Sequence, residues 1–318
     1  MMSNQLNYKA AIWGFVVGDA LGVPYEFTDR EIMKIIPATG MIGFETHHQP
    51  PGTWSDDTSM MLCVLENIIS LGTAKDLSKA FIRWYTEGYM TPYGELFDIG
   101  CTTENAIVKL IAGVKCHLSG DDYTYSAGNG SLMRCLPYAF RKDLPKSICN
   151  MLIDNKITHR NSLCNLCCIF YVQVLRHLLD GQDKIIAIKY AIQYIKFGWR
   201  ISDDDEEGSI IGWGHFKKLF NREFRNLLET EIESTSYVLN TLEAAMWCFL
   251  NTDNYKDAVL KAVNLGGDTD TIAALTGGLA GVAYGYDSIP KEWINIIANP
   301  SIISSVLNKI PIDSKYIN

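Results

Sequence analysis

Residues 55–69 read Ser-Asp-Asp-Thr-Ser-Met-Met-Leu-Cys-Val-Leu-Glu-Asn-Ile-Ile, and this stretch decides the fold class. Its apolar side chains repeat every four residues in two adjacent rows: Met60, Val64 and Ile68, then Met61, Leu65 and Ile69. That spacing is typical of an amphipathic α-helix, whereas apolar residues in a half-buried strand alternate with polar ones. The stretch therefore predicts a helix with one broad buried face.

The same helical spacing recurs along most of the chain. Further apolar stripes lie within residues 77–85, 106–114, 163–178, 185–195 and 238–249. Glycines and prolines separate these stripes, but they form no long linker of low complexity. We therefore predict an all-α fold in which residues 1–318 form a single domain.

Composition narrows the class of protein. The chain has 318 residues, of which 47% are hydrophobic and 20% charged, and this is enough apolar material for a core. Disordered and collagen-like classes are excluded. The 28 Lys and Arg residues against 36 Asp and Glu give a net charge of −8, which argues against a nucleic-acid partner. If the partner is a phosphate ester, something other than basic side chains must neutralise it.

Hydropathy and cysteine usage predict where the protein resides. The longest uncharged apolar stretches are shorter than the roughly 20 residues that cross a bilayer, so we expect no membrane association. Nine cysteines at irregular spacing, among them Cys164, Cys167 and Cys168 in an apolar stripe, indicate reduced core thiols. We expect a cytoplasmic monomer without disulfides. The acidic run at residues 203–207 is interpreted as a solvated loop.

Pairs of carboxylates stand at two predicted helix starts. Asp56 and Asp57 precede the stripe described first, and Asp268 and Asp270 follow two glycines and precede an apolar stretch at residues 272–283. Capping and the helix dipole would explain one acidic residue at each start. Two at each start would repel one another unless a cation lies among them. The spacing alone leaves capping and metal binding about equally favoured.

If these carboxylates bind metal, their chemistry restricts the choice. Oxygen ligands from carboxylates and hydroxyls suit hard cations such as Mg²⁺, Mn²⁺ or Ca²⁺. Two divalent cations would also turn an acidic pocket into one that can hold a diphosphate or orient vicinal hydroxyls.

A glycine-rich segment could provide a second part of a binding site. Residues 126–134 read Ser-Ala-Gly-Asn-Gly-Ser-Leu-Met-Arg, and small residues let backbone N–H groups approach an anion. We expect a helix to begin after Gly130. A plain turn is the alternative, since Gly-Asn-Gly alone is weak evidence. Tyr123 and Tyr125 just before it could stack on a base.

Together these segments resemble one family, the ADP-ribosylglycohydrolases of the dinitrogenase reductase-activating glycohydrolase type. The motifs that carry the resemblance, in chain order, are Gly18-Asp19-Ala20-Leu21-Gly22 with Pro24 and Glu26, Trp54-Ser55-Asp56-Asp57-Thr58, Gly128-Asn129-Gly130 with Met133-Arg134, His159, and Gly266-Gly267-Asp268-Thr269-Asp270-Thr271. They span nearly the whole chain.

The resemblance implies an all-α fold with a binuclear Mg²⁺ or Mn²⁺ centre in a cleft that binds ADP-ribose. The implied metal ligands are Ser55, Asp56, Asp57, Asp268, Asp270 and Thr271. Glu26 matches the mobile acidic residue of the family, and Asp98 matches an aspartate near the scissile ribose. The diphosphate loop corresponds to Ser126, Gly128, Asn129, Gly130 and Ser131, and His159 matches a substrate-contacting histidine.

We therefore predict a hydrolase that removes ADP-ribose from a modified protein, with N-linked arginine as the first choice of linkage. Glu26 or Asp57 is expected to take a proton from water, and Asp98 to assist ring opening or the leaving group. The alternatives are O-linked conjugates such as serine-ADP-ribose or O-acetyl-ADP-ribose, or a non-catalytic, crystallin-like protein.

Two departures from the family pattern concern the substrate. Ser236 and Asn240 stand where many relatives have Gly and Asp, which puts the shape of the acceptor side of the cleft in doubt. The His47-His48 pair could line the mouth of the cleft, but a solvated loop is the favoured interpretation.

Overall fold

The computed structural model describes residues 4–123, 126–198, 216–310 and 316–317. Within these ranges the regular structure is helical, and three isolated β-bridges are the only extended pairing. The predicted all-α class is confirmed. The acidic run at residues 203–207 and Tyr125 lie outside the described residues.

Fourteen α-helices lie within the described ranges. In chain order they are α1 (Asn4–Gly22), α2 (Arg30–Ile35), α3 (Asp56–Ile69), α4 (Ala74–Glu87), α5 (Cys101–Ile111), α6 (Cys116–Ser119), α7 (Leu144–Asn155), α8 (Ser162–Leu179), α9 (Lys184–Gly198), α10 (Val238–Leu250), α11 (Tyr255–Val263), α12 (Thr269–Tyr284), α13 (Lys291–Ile296) and α14 (Pro300–Leu307). Short 3₁₀-helices connect several of them, at Val23–Tyr25, Asn129–Ser131, Leu136–Phe140, Phe224–Asn226, Glu229–Glu231 and Tyr286–Ser288.

The predicted apolar stripes lie in helices, with differences in α5 and in α9, where Ile185 of the stripe at residues 185–195 is exposed. The stripe in α3 is buried from Met60 through Leu65, as the two-row pattern predicts. The stripe at residues 106–114 runs past the end of α5, and Ile111 and Val114 are exposed. Helix α5 ends at Ile111, so Val114 lies beyond the helix.

The centre of the fold is the pair α1 and α12, which have the most extensive contact of any two helices. Gly22 at the end of α1 lies so close to α12 that a Cβ at this position would be 2.4 Å from Asp270 Cα. A residue with any side chain would push the two helices apart. The close approach therefore requires glycine, and it brings the end of α1 to the start of α12.

Helix α8 forms a second part of the core, between α9, α10 and α12. By length and hydropathy it would pass for a membrane span, yet 72% of it is buried inside the fold, as in a core helix. Cys164, Cys167 and Cys168 are buried in it, which confirms their interpretation as core thiols. All nine cysteines are free thiols.

Candidate active site

A cleft of about 420 Å³ opens where the starts of α3, α5 and α12 meet residues 126–131, named here the glycine loop. Its volume falls within the range of small-molecule sites. Six acidic residues line it: Glu26, Asp56, Asp57, Asp98, Asp268 and Asp270. Among its described lining residues there is neither a lysine nor an arginine. Such an excess of buried negative charge calls for a cation.

The start of α3 is capped by other residues than its acidic pair. The Ser55 hydroxyl oxygen accepts a hydrogen bond from the Asp57 backbone N–H, 3.2 Å away. Asp19, buried in α1, accepts hydrogen bonds from the backbone N–H groups of Ser55 and Thr58, each 3.0 Å away, and from the Thr58 hydroxyl. Asp56 and Asp57 are thus left to line the cleft.

The start of α12 shows the same division of roles. Asp268 occupies the N-cap position, but its side chain makes no capping hydrogen bond. Its Oδ2 instead accepts from Asn129 Nδ2 of the glycine loop at 2.9 Å. Asn129 Nδ2 also donates to Thr241 Oγ1 at 3.1 Å, which fixes the amide. Thr271 Oγ1 donates to Asp57 Oδ1 at 3.4 Å and so connects α12 with α3.

Three carboxylate oxygens in this cluster have no hydrogen-bond partner in the part of the chain that the structure describes. They are Asp57 Oδ2, Asp268 Oδ1 and Asp270 Oδ1, and all three are buried. Buried polar atoms in folded proteins are almost always paired. Carboxylate oxygens of Glu26, Asp268 and Asp270 also lie within 4.8 Å of one another. The donor set fits a hard divalent cation.

The electrostatics of the cleft support the same conclusion. Burial, followed by repulsion from neighbouring carboxylates, holds the pKa values of Asp56, Asp57 and Asp270 well above the usual aspartate range. Burial also raises the pKa of Glu26 to about 7, although its hydrogen bond with His47 opposes the shift. A bound cation would lower these pKa values, because it favours the charged form of each carboxyl.

His47 belongs to the site, so its interpretation as a solvated loop residue was wrong. Its side chain is only 14% exposed, and its Nε2 forms a hydrogen bond with Glu26 Oε2. Its ring lies between Phe27 and Phe97, with centroids 6.2 and 5.4 Å away. Asp98 completes this cluster, with ligand atoms of Glu26, His47 and Asp98 within 4.8 Å of one another. His48, in contrast, is exposed.

The glycine loop forms another part of the cleft wall. Gly128, Asn129, Gly130 and His159 line the cleft. The expected helix after Gly130 is wrong: residues 129–131 form a single 3₁₀ turn followed by further turns.

The two serines of the glycine loop are held by other contacts. The Ser126 hydroxyl donates to Tyr123 O at 2.6 Å. Ser131 is fully buried, and its Oγ accepts a 3.6 Å hydrogen bond from Cys168 Sγ.

Several lining residues were not singled out by the sequence as site residues. Thr103 from the start of α5 and Met133 line the cleft. Ser236, one of the two departures from the family pattern, also lines it, and its carbonyl accepts a hydrogen bond from the Asn129 N–H at 3.0 Å. Asn240 donates to Glu233 Oε2 at 2.6 Å. An aspartate at position 240 would face Glu233. Ser236 lines the cleft, whereas Asn240 is not among the described lining residues.

Comparison with known proteins identifies the class. Residues 2–314 match the model of a hydrolase family described as ADP-ribosylglycohydrolase. The chain therefore belongs to the ADP-ribosylglycohydrolase family. The resemblance seen in the motifs is confirmed.

Individual relatives agree with this assignment. The chain is 33% identical to ADP-ribosylarginine hydrolase Tri1 of Serratia proteamaculans, over 95% of this chain and 78% of that protein. It is 28% identical to ADP-ribosyl-[dinitrogen reductase] glycohydrolase of Rhodospirillum rubrum, over 90% and 88% of the two chains. A solved structure titled ADP-ribosylglycohydrolase-related protein complex superposes with a TM-score of 0.80 at 26% identity, and the match covers 99% of this chain and 100% of that one.

Proposed function

We propose that this protein uses divalent cations, Mg²⁺ or Mn²⁺, to hydrolyse the bond between ADP-ribose and an arginine side chain of a modified protein. The observation that carries the proposal is a cleft that faces the glycine loop and is lined by six acidic residues, with neither lysine nor arginine among the described lining residues. The arginine linkage is supported by the 33% identity to a protein named ADP-ribosylarginine hydrolase.

The acidic cluster is proposed as the metal centre. Asp56, Asp57, Asp268, Asp270 and Thr271 would hold the cations, and Ser55 joins them on the strength of the family resemblance. Three unpartnered carboxylate oxygens in the cluster support this assignment. When bound, such cations polarise the oxygens that they touch and offset the negative charge of the cleft.

The glycine loop is proposed to receive the diphosphate. Gly128 and Gly130 present no side chain to the cleft, so phosphate oxygens can approach the backbone closely. Ser126 and Ser131 hold the loop in place through their hydrogen bonds with Tyr123 O and Cys168 Sγ. Tyr125 is proposed as a wall for the adenine, as the sequence suggests.

Two carboxylates are proposed to move protons. Glu26 has one oxygen, Oε2, in a hydrogen bond with His47, so Oε1 remains to accept a proton from the attacking water. Asp57 is the alternative base. Asp98 lies in the same cleft and is proposed to assist ring opening or departure of the arginine, since glycoside hydrolysis commonly uses two carboxyl groups.

The experiment measures ADP-ribose release from an arginine-ADP-ribosylated protein with Mg²⁺, with Mn²⁺ and with EDTA. Wild type, Asp268→Ala and the exposed-surface control Asp287→Asn are compared. We expect metal-dependent release that Asp268→Ala abolishes and Asp287→Asn leaves unchanged. Release that persists in EDTA overturns the metal requirement. Absence of release from arginine together with release from a serine-linked conjugate overturns the linkage.

The proposal also covers the cellular compartment, the domain organisation and the oligomeric state of the protein. Nine free thiols support residence in a reducing compartment such as the cytoplasm. The contact between α1 and α12, near opposite ends of the chain, supports one domain over residues 1–318. We propose that this domain acts as a monomer.

A further inference from the structure

A buried chain of hydrogen bonds ends at the cleft. Arg134 is buried, and its Nη1 donates to Gly130 O at 2.9 Å while its Nη2 donates to Thr158 Oγ1 at 2.7 Å. Thr158 Oγ1 in turn lies 2.8 Å from His159 Nδ1. Thr158 and His159 are buried as well. The three side chains thus form a relay from the core to the cleft wall.

The chemistry of the three side chains decides which group donates and which accepts in each hydrogen bond of the relay. A guanidinium can only donate, so Thr158 Oγ1 accepts from Arg134. The threonine hydroxyl then has one hydrogen of its own to place, and among the described residues His159 Nδ1 is the acceptor within reach. A proton on Nδ1 would leave that buried hydroxyl hydrogen without an acceptor. Thr158 therefore donates to Nδ1, and the imidazole proton is on Nε2.

The Nε2 edge of the ring faces the glycine loop. A Cβ on Gly130 would lie 2.7 Å from His159 Cε1 and 3.3 Å from Nε2, and one on Gly128 would lie 3.7 Å from Nε2. Within the described ranges Nε2 has no hydrogen-bond acceptor from the protein, and His159 lines the cleft. The donor is therefore presented where a ligand on the loop would lie.

The imidazole is also kept neutral. Burial, assisted by the nearby Arg134 charge, lowers the pKa of His159 to about 3. The ring consequently carries a single N–H near neutral pH, and which nitrogen holds it decides whether the cleft meets a donor or an acceptor.

We propose that Arg134 and Thr158 are positioning residues that hold His159 as its Nε2–H tautomer, so that the ring donates a hydrogen bond to a diphosphate oxygen on the glycine loop. The ligand named here rests on the proposed function. The family resemblance already implies that His159 contacts the substrate. The proposal adds that Arg134 and Thr158 determine which ring nitrogen of His159 carries the proton.

The first test is spectroscopic and needs no activity. Wild type labelled with ¹⁵N at histidine is compared with His159→Gln to assign the ring signals. We expect His159 to show a protonated Nε2 and an unprotonated Nδ1 from about pH 5 to about pH 8. A protonated Nδ1 in the wild type overturns the relay.

The second test compares Thr158→Val with Thr158→Ser. Valine keeps the shape and removes the hydroxyl, so we expect the Nε2–H preference to be lost and the Kd for ADP-ribose to rise about tenfold. Serine restores the hydroxyl and should restore both readouts. Thermal melting with and without Mn²⁺ checks that each variant folds and keeps its metal response.

The two proposals fail in different ways. Thr158→Val that folds and binds ADP-ribose as the wild type does overturns the positioning role. A wild type that shows the Nε2–H tautomer but binds no ADP-ribose overturns the proposed function and the ligand named here.

Discussion

Replacement of Asp270 by asparagine is expected to change stability in opposite directions with and without a divalent cation. Asp270 is buried, and its Oδ1 has no hydrogen-bond partner among the described residues. Leaving one such group unpaired costs about 1–3 kcal/mol, and neighbouring carboxylates add repulsion. Asparagine has nearly the same shape without the charge. In EDTA the variant should therefore be more stable than wild type by about 1–2 kcal/mol.

The assay is thermal melting at a pH above neutrality. For a chain of this size 1 kcal/mol corresponds to about 2 °C, so the variant should melt about 2–4 °C higher in EDTA. With Mn²⁺ at about one hundred times its Kd, wild type should gain about 2.7 kcal/mol, whereas the variant should lose most of that gain. The order of the two melting temperatures thus reverses when metal is added.

The pH dependence has a definite sign. Burial raises the folded-state pKa of Asp270 above its unfolded-state value, so the native state holds the proton more tightly. The destabilisation is absent below the unfolded-state pKa and grows as the pH rises toward the folded-state pKa. The advantage of the variant in EDTA should therefore shrink toward about pH 4.

The control is Asp287→Asn, which removes one carboxylate from the exposed surface. It should melt within about 1 °C of wild type in EDTA and keep the full response to Mn²⁺. If Asp270→Asn melts below wild type in EDTA, or keeps the full response to Mn²⁺, the metal-centre reasoning is refuted.

Two further predictions concern residues that contact the acidic cluster. Asn129→Ala removes the hydrogen-bond donor that orients the Asp268 carboxylate, so the affinity for Mn²⁺, measured by calorimetry, should fall about tenfold. An unchanged affinity would contradict this orienting role of Asn129. His47→Phe keeps a ring between Phe27 and Phe97 but loses the hydrogen bond to Glu26. We expect kcat to fall about tenfold while the Kd for ADP-ribose stays within about twofold. An unaltered kcat would show that the hydrogen bond is dispensable.

The structure separates capping from metal binding, which the sequence left about even. At α3 the caps are the Ser55 hydroxyl and the distant Asp19 carboxylate. At α12 the Asp268 side chain makes no capping bond. The carboxylates that line the cleft are therefore not used to satisfy helix ends, and this favours their use as ligands.

The departures at Ser236 and Asn240 lie on either side of the start of α10. Ser236 holds the glycine loop through its carbonyl, and Asn240 ties the start of α10 to Glu233. An amide at position 240 can donate to that glutamate, whereas a carboxylate there would repel it. The pairing explains why asparagine suits this chain.

The sequence alone determined what depends on local physics. Helical periodicity in residues 55–69 predicted α3 because burial of one face repeats with the helical turn. The same local reasoning placed Asp56, Asp57, Asp268 and Asp270 at helix starts, since small polar residues after a glycine-containing loop favour that position. It also singled out the glycine loop, but it could not decide between a turn and a helix start.

Only the tertiary structure decided which of these local features meet. Asp19 reaches Thr58 across 39 positions, and Asn129 reaches Asp268 across 139. His47 lies against Glu26 although no periodic pattern marks either residue. Such contacts are set by how helices pack, above all by the close approach of α1 to α12 at Gly22. Packing minimises unfilled space over the whole core, and a local pattern does not contain that information.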